Sequence, residues 1–456
     1  MKTSCKIEPE DMEVQILTPR LGDTRKAILQ ESNGYKPISI SESKTLSSET
    51  LTKPWSGHLF CMFVVFGIAS LAPWNMFITA TAYFESKFNG STPEIEENYQ
   101  NYFQTGAICT DVVISFLTVP LVRFIKIPKL VYFSNSVMLG MFVLTAILAK
   151  VDSSSWARDF FLLTEVCFCT MCGGGAMFIS TMWAITSSMD PIYIDAFLIG
   201  MTFAGIMAAG LTIITLSIPG IDFVGAGFWY FVAAAAILLL SLVLFSQFHC
   251  HFYQDSNTEV DSGTLPVSST TLSKTERTPI HQLIRDTFPQ GYSCFFVLYI
   301  TFVMFPAVLS TMKSTADPES TWASRYFLPV SLFMIFNIGD LIGRLVARVV
   351  EFPGRRLIPW YTTARVVFVF LMVMCNLQPR SDSAPVWFKH DVIPSTLVFL
   401  FAATSGQILT LCLRYAAEIG TSRADKATIG TIMGVHGAMG RVLGSLSTYI
   451  VFLAIR

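Results

Sequence analysis

An all-α, polytopic membrane protein of eleven transmembrane helices is the fold class that this sequence predicts, and three observations predict it. Of 456 residues, 52% are hydrophobic and only 14% are charged, whereas a soluble domain carries roughly 25% charge. The apolar residues gather into runs of about 20, the length a helix needs to cross the hydrocarbon core. Short polar stretches separate the runs, and Lys and Arg collect on alternate stretches.

The first run, 57–83, is interrupted by Pro73, with Trp74 and Asn75 next in sequence. Proline removes a backbone hydrogen bond, and in lipid the freed carbonyl needs a protein or water partner. Runs at 103–125, 128–150, 160–186, 194–218 and 226–248 complete a set of six. Five more lie at 289–311, broken by Pro306, and at 324–350, 358–378, 391–413 and 427–453. The predicted organisation is a flexible cytoplasmic tail at 1–56, a six-helix bundle at 57–250, a flexible cytoplasmic loop at 251–288 and a five-helix bundle at 289–456. The tail holds no apolar stretch of signal-peptide length, so the first helix is expected to act as its own insertion signal.

Orientation follows from the short loops. Arg123, Lys126 and Lys129 lie between spans 2 and 3, Arg355 and Arg356 between spans 8 and 9, and Arg423 and Lys426 between spans 10 and 11. That face is predicted to be cytoplasmic, with the N-terminus inside and the C-terminus outside or luminal. The loop between spans 4 and 5 is an exception, with Asp190 and Asp195 and no basic residue. The loop after span 1 is acidic and carries Asn89-Gly90-Ser91, the one N-x-[ST] glycosylation sequon, on the side the charges place outside. The tail sequence Glu13-Val14-Gln15-Ile16-Leu17 is close to an acidic dileucine signal. The plasma membrane is the first reading of location and an endolysosomal membrane the alternative.

Composition and motifs exclude several functions. A net charge of −1 gives no reason to expect nucleic acid. No P-loop, HExxH, GxSxG or potassium-filter sequence occurs. Cys169 and Cys172 form a CxxC, but no His or acidic ligand cluster accompanies it. No enzyme activity, metal or cofactor is expected. No disulfide framework is expected, since most of the ten Cys fall within apolar runs. No obligate protein partner is evident beyond the lipid bilayer.

Ionisable side chains within spans are costly and point to a pathway or a buried partner. The eighth run reads Phe336-Asn337-Ile338-Gly339-Asp340-Leu341-Ile342-Gly343-Arg344. Asp340 and Arg344 are four apart and share a helix face, with Asn337 extending the stripe. Gly339 and Gly343 allow another helix close approach. The pair is either a structural ion pair, a lining of the pathway, or both. Asp111 and Glu165 have no local counter-ion and are candidates for proton-linked groups. His436 reads first as a hydrogen-bonded structural residue, Arg441 needs an acidic partner or a wet cavity, and Arg365 is expected to snorkel to the cytoplasmic edge.

Three segments resemble the equilibrative nucleoside transporters: LAPWNMFITATAYF (Leu71–Phe84), MFPAV (Met304–Val308) and FNIGDLIGR (Phe336–Arg344). The resemblance runs from about residue 57 to the C-terminus. It implies a six-plus-five fold similar to the major facilitator superfamily and facilitated diffusion of nucleosides (the uridine and adenosine class), with nucleobases as a further substrate class, by alternating access without ATP. It carries substrate-binding or gating roles onto Trp74, Asn337, Asp340 and Arg344, and the motifs add Asn75 and Phe305. Ile78 stands where the family often has Met, and Ile179 stands at the substrate-facing place of the fourth helix, with Ser180 and Thr181 next. TSGQILTL (Thr404–Leu411) lacks an expected Asn before its Gly. The alternatives are a proton-linked nucleoside or organic-cation carrier, and a non-transporting membrane receptor or scaffold.

Overall fold

The computed structural model describes residues 57–88, 91–218, 223–250, 278–378, 380 and 385–455. The tail at 1–56, the sequon residue Asn89 and most of the central loop lie outside them. The main helices are α1 (Gly57–Thr79), α2 (Pro93–Phe124), α3 (Ile127–Ala149), α4 (Ala157–Ser187), α5 (Pro191–Ser217) and α6 (Phe223–Phe248). The second half continues with α7 (Phe288–Ser310), α8 (Leu328–Val349), α9 (Ile358–Val373), α10 (Val392–Ala417) and α11 (Arg423–Ile455). Among the described residues, nine helices are long and apolar enough to cross a membrane. The other two are α9, which is short, and α11, whose many Gly, Ser and Thr residues dilute its apolar character.

Local chemistry sets the helix boundaries. Proline stands in the first turn of α2, α3, α5, α7 and α9, where its missing N–H costs nothing and its fixed φ suits a helix start. Asp190 caps α5 by accepting from the Ile192 amide at 3.0 Å. The expected second span began at 103, but α2 starts ten residues earlier at Pro93. Glu94 and Glu96 in its first turn favour the positive end of the helix dipole. Helix α1 stops at Thr79 and restarts at Thr81–Phe88. Helix α7 breaks between Met304 and Ala307, at the predicted proline. The first turns of α8, Leu328–Met334, are π-helical. The expected ninth span, 358–378, is helical only to Val373, because the chain turns at Arg365 and again at Met374. It then leaves as an extended segment, where Asn376 accepts from the Lys313 amide at 2.9 Å.

Packing repeats between the halves. Helix α1 lies on α5 and α7 on α11, while α2 lies on α4 and α8 on α10. Glycine lets these backbones touch: a Cβ on Gly200 would strike the Val64 carbonyl, and one on Gly440 would strike that of Phe295. Two seams join the halves, α5 against α8, and α11 against α2 and α4. The first half is filled by aromatic side chains, including Phe77 stacked on Phe168 at 4.2 Å.

Asp391, just before α10, anchors the segment between α7 and α8. It accepts from Ser314 Oγ (2.5 Å), the Thr315 amide (2.8 Å), Thr315 Oγ1 (2.9 Å) and Trp322 Nε1 (3.0 Å). Burial pushes its carboxyl upward, but these bonds outweigh that and hold it below the ordinary carboxylate value. A depressed carboxyl stabilises the fold above its unfolded pKa of about 3.9, and this contribution disappears as pH falls through the lower folded value. Asp391→Ala is therefore expected to lower the melting temperature of detergent-purified protein at neutral pH. Hydrogen bonds to a charged group are worth about 1.5–3 kcal/mol. The difference from wild type should shrink only below about pH 4, and a difference that already disappears at pH 6 would contradict this anchor.

Candidate functional site

The α8 stripe is built as its spacing predicts, and it faces the other bundle. Arg344 Nε donates to Asp340 Oδ2 at 2.7 Å, with side-chain exposures of 7% and 12%. Asn337 Nδ2 donates to the Phe333 carbonyl at 2.8 Å, and its amide lies directly over Gly205 of α5. Thr202, one turn before Gly205 on α5, donates its hydroxyl to Asp340 Oδ2 at 2.5 Å. On the far side Gly406 of α10 leaves no room for a Cβ beside Asp340. Arg344 Nη1 is buried and has no hydrogen-bond partner among the described residues. A buried donor of this kind costs free energy unless something binds it.

The aromatic members divide between the halves. Phe305, in the break of α7, lies flat on Phe336 with ring centres 4.0 Å apart. Trp74 is half-buried on α1 and stacks on Phe168 of α4 at 5.3 Å. Asn75 is half-buried beside it. The side chain of Ile78 is outside the described residues. Ile179 is buried in the core of α4, and its neighbour Ser180 packs against Gly434 of α11.

Asp111 of α2 pairs with Arg441 of α11, at 2.9 Å to Nε and 2.7 Å to Nη2. Glu165 Oε1 accepts weakly from the Cys169 thiol at 3.4 Å, and its buried Oε2 has no hydrogen-bond partner among the described residues. His436 contacts the Ile432 carbonyl at 2.9 Å. Arg365 does not snorkel. It is among the most deeply buried large side chains, donating to the Val297 and Phe401 carbonyls at 3.0 and 2.9 Å and to Thr404 Oγ1 at 3.2 Å. The turn at residue 365 aims its guanidinium into the space between α7 and α10 instead of along α9.

Asp195 is the residue that the sequence argument misplaced. The charge count assigned it to the loop although the predicted run 194–218 contains it, and it lies inside α5 with 1% of its side chain exposed. Arg414 of α10 clasps it with Nε (2.9 Å to Oδ1) and Nη2, and Arg348 Nε of α8 stands 3.7 Å away. The charge exception between spans 4 and 5 thus has a cause: Asp195 belongs to a cross-bundle ion cluster. One signal was present, an acid within the apolar string Ile192–Gly200.

A family model described as "Nucleoside transporter" matches residues 163–453. The chain is 28% identical to rat equilibrative nucleoside transporter 3 over 418 residues, covering 85% of this chain and 87% of the relative. It is 28% identical to human equilibrative nucleoside transporter 1 over 444 residues, covering 86% and 96%. Among solved structures it is similar to the major facilitator proton:xylose symporter XylE bound to 6-bromo-6-deoxy-D-glucose, with TM-score 0.57, 11% identity and coverage of 85% and 86%. That likeness shows the fold alone. With the family model spanning well over half its length, this chain belongs to the nucleoside transporter family.

Proposed function

We propose that this protein carries nucleosides, and nucleobases with them, down their gradients by exposing one central site alternately to the two sides. The observation that carries the reading is the pairing of Asp340 with Arg344, whose buried Nη1 has no hydrogen-bond partner among the described residues. A ribose offers hydroxyls that both accept and donate. Arg344 would donate to one hydroxyl, Asp340 would accept from another, and Asn337 extends the same polar face. Trp74, with Asn75, Ile78, Ile179 and Phe305 as further candidates, would present the apolar surface that a flat base stacks on. In this reading the chain crosses the membrane eleven times, as bundles at 57–250 and 289–456 joined by a loop at 251–288. Its tail is cytoplasmic, its C-terminus lies on the opposite face, Asn89 is glycosylated, and the plasma membrane is its site.

Uptake of labelled uridine and adenosine into oocytes tests the reading, at neutral and mildly acidic outside pH, with and without a sodium gradient. Saturable uptake indifferent to sodium is expected. Truncating one partner of a buried charge pair costs about 2–5 kcal/mol, so Asp340→Ala or Arg344→Ala should reduce uptake efficiency by roughly 30-fold to over 1,000-fold. Normal uptake by both variants would remove the pair from the pathway. A second reading, proton-linked carriage of nucleosides or organic cations, draws on Asp111 and on Glu165, whose buried Oε2 has no hydrogen-bond partner among the described residues. It requires acid-stimulated uptake that Glu165→Gln abolishes.

A further inference from the structure

Asp340 is shared between the two bundles, and the seam on which it lies is regular. From Asp195 to Thr202 on α5 is seven residues, matched by eight on α8 from Arg348 back to Asp340. The three residues from Thr202 to Gly205 match the three from Asp340 back to Asn337. At the far end Ser217 Oγ meets Tyr326 Oη at 3.1 Å. The helices therefore run antiparallel in register, and the polar stripe of α8 is covered by one face of α5. That face is cut to fit, with a hydroxyl opposite the carboxylate and no side chain opposite the amide.

A threonine hydroxyl has one proton to give. That of Thr202 lies 2.5 Å from Asp340 Oδ2 and 3.4 Å from its own-helix carbonyl at Leu198, so the proton goes to Asp340. Oδ2 also accepts from Arg344 Nε, which is carried on the same helix and moves with it. An oxygen with two acceptor positions is then full. A further donor can reach Oδ2 only by displacing Thr202, the partner that belongs to the other bundle.

We propose that Thr202 is a positioning residue that holds, in the closed seam, the place on Asp340 that a sugar hydroxyl takes in the loaded carrier. Binding of a polyhydroxyl substrate and closure of the α5–α8 seam compete for one carboxylate oxygen, which couples occupancy of the site to separation of the bundles. The proposal rests on the reading that Asp340 contacts the sugar.

The test is uridine and 2′,3′-dideoxyuridine uptake at matched surface abundance by wild type, Thr202→Val, Thr202→Ala and Thr202→Ser. Removing the competing hydroxyl frees Asp340 for the ribose diol, so Val and Ala should lower the KM for uridine by about tenfold, the size of one hydrogen bond to a charged group, and leave the KM for dideoxyuridine nearly unchanged. Ser keeps the hydroxyl and should keep the wild-type KM. A purely structural Thr202 would change abundance and maximal rate, leaving KM alone. A Thr202 that itself binds substrate would raise KM. Either result overturns the proposal. Asp340→Asn separates the two claims: if it leaves the preference for uridine over dideoxyuridine intact, the sugar-contact reading fails, whatever the Thr202 variants show.

Discussion

Asp195→Ala should abolish transport and leave little well-folded protein. Its carboxylate, 1% exposed, is the acid that Arg414 clasps and Arg348 approaches, and the side chain of Arg414 is itself only 13% exposed. Deleting one partner of a buried ion pair costs about 3–5 kcal/mol, because the surviving charge stays desolvated. Arg414 also donates to the Ala347 carbonyl at 3.1 Å, and Arg348 lies over the Phe60 ring at 5.4 Å. The cluster therefore ties α5 and α1 of one bundle to α8 and α10 of the other. A monodisperse, thermally unchanged Asp195→Ala protein in detergent would show the cluster to be incidental. The exchange Asp195→Arg with Arg414→Asp should recover part of the stability that either single change loses, since the attraction is restored while the fit is imperfect. No recovery would argue that geometry, and not charge, holds this end of the seam.

Arg365→Ala should be nearly as damaging, for a different reason. Among the described residues, no carboxylate is bonded to Arg365. Its donors go to carbonyls and hydroxyls on α7 and α10, and its guanidinium lies 4.6 Å from the centre of the Phe401 ring. Alanine would remove those bonds and leave a hole between three helices, and large-to-small core changes cost about 2–5 kcal/mol. Desolvating a guanidinium is also expensive, so a long apolar replacement such as Arg365→Met should recover part of the loss. Melting curves of the purified variants would check this ranking. Equal stability of the alanine variant and wild type would sink it.

Much of the helix layout was legible in the sequence, because lipid demands long apolar runs and leaves few other ways to bury a backbone. The ends were less legible. The early start of α2 and the turn at Arg365 in α9 depend on capping charge and on tertiary pull, which hydropathy does not report. The Asp340–Arg344 pair was legible because four residues on a helix fix a geometry. The Asp111–Arg441 and Asp195–Arg414 pairs were not, since their partners lie 330 and 219 residues apart and no local pattern links them. Thr202 was invisible for the same reason: one hydroxyl in an apolar helix gains meaning only from what crosses it.

The register of the α5–α8 seam has a consequence for how this chain can change over evolutionary time. Each residue advances an α-helix by about 100° and 1.5 Å. One residue inserted or lost between Asp195 and Thr202 would swing everything beyond it about a quarter-turn off the opposing helix. Loops can grow and shrink with little penalty. The length of α5 between its acid and its hydroxyl is therefore among the least negotiable in the molecule, whatever happens to the identity of the residues in between.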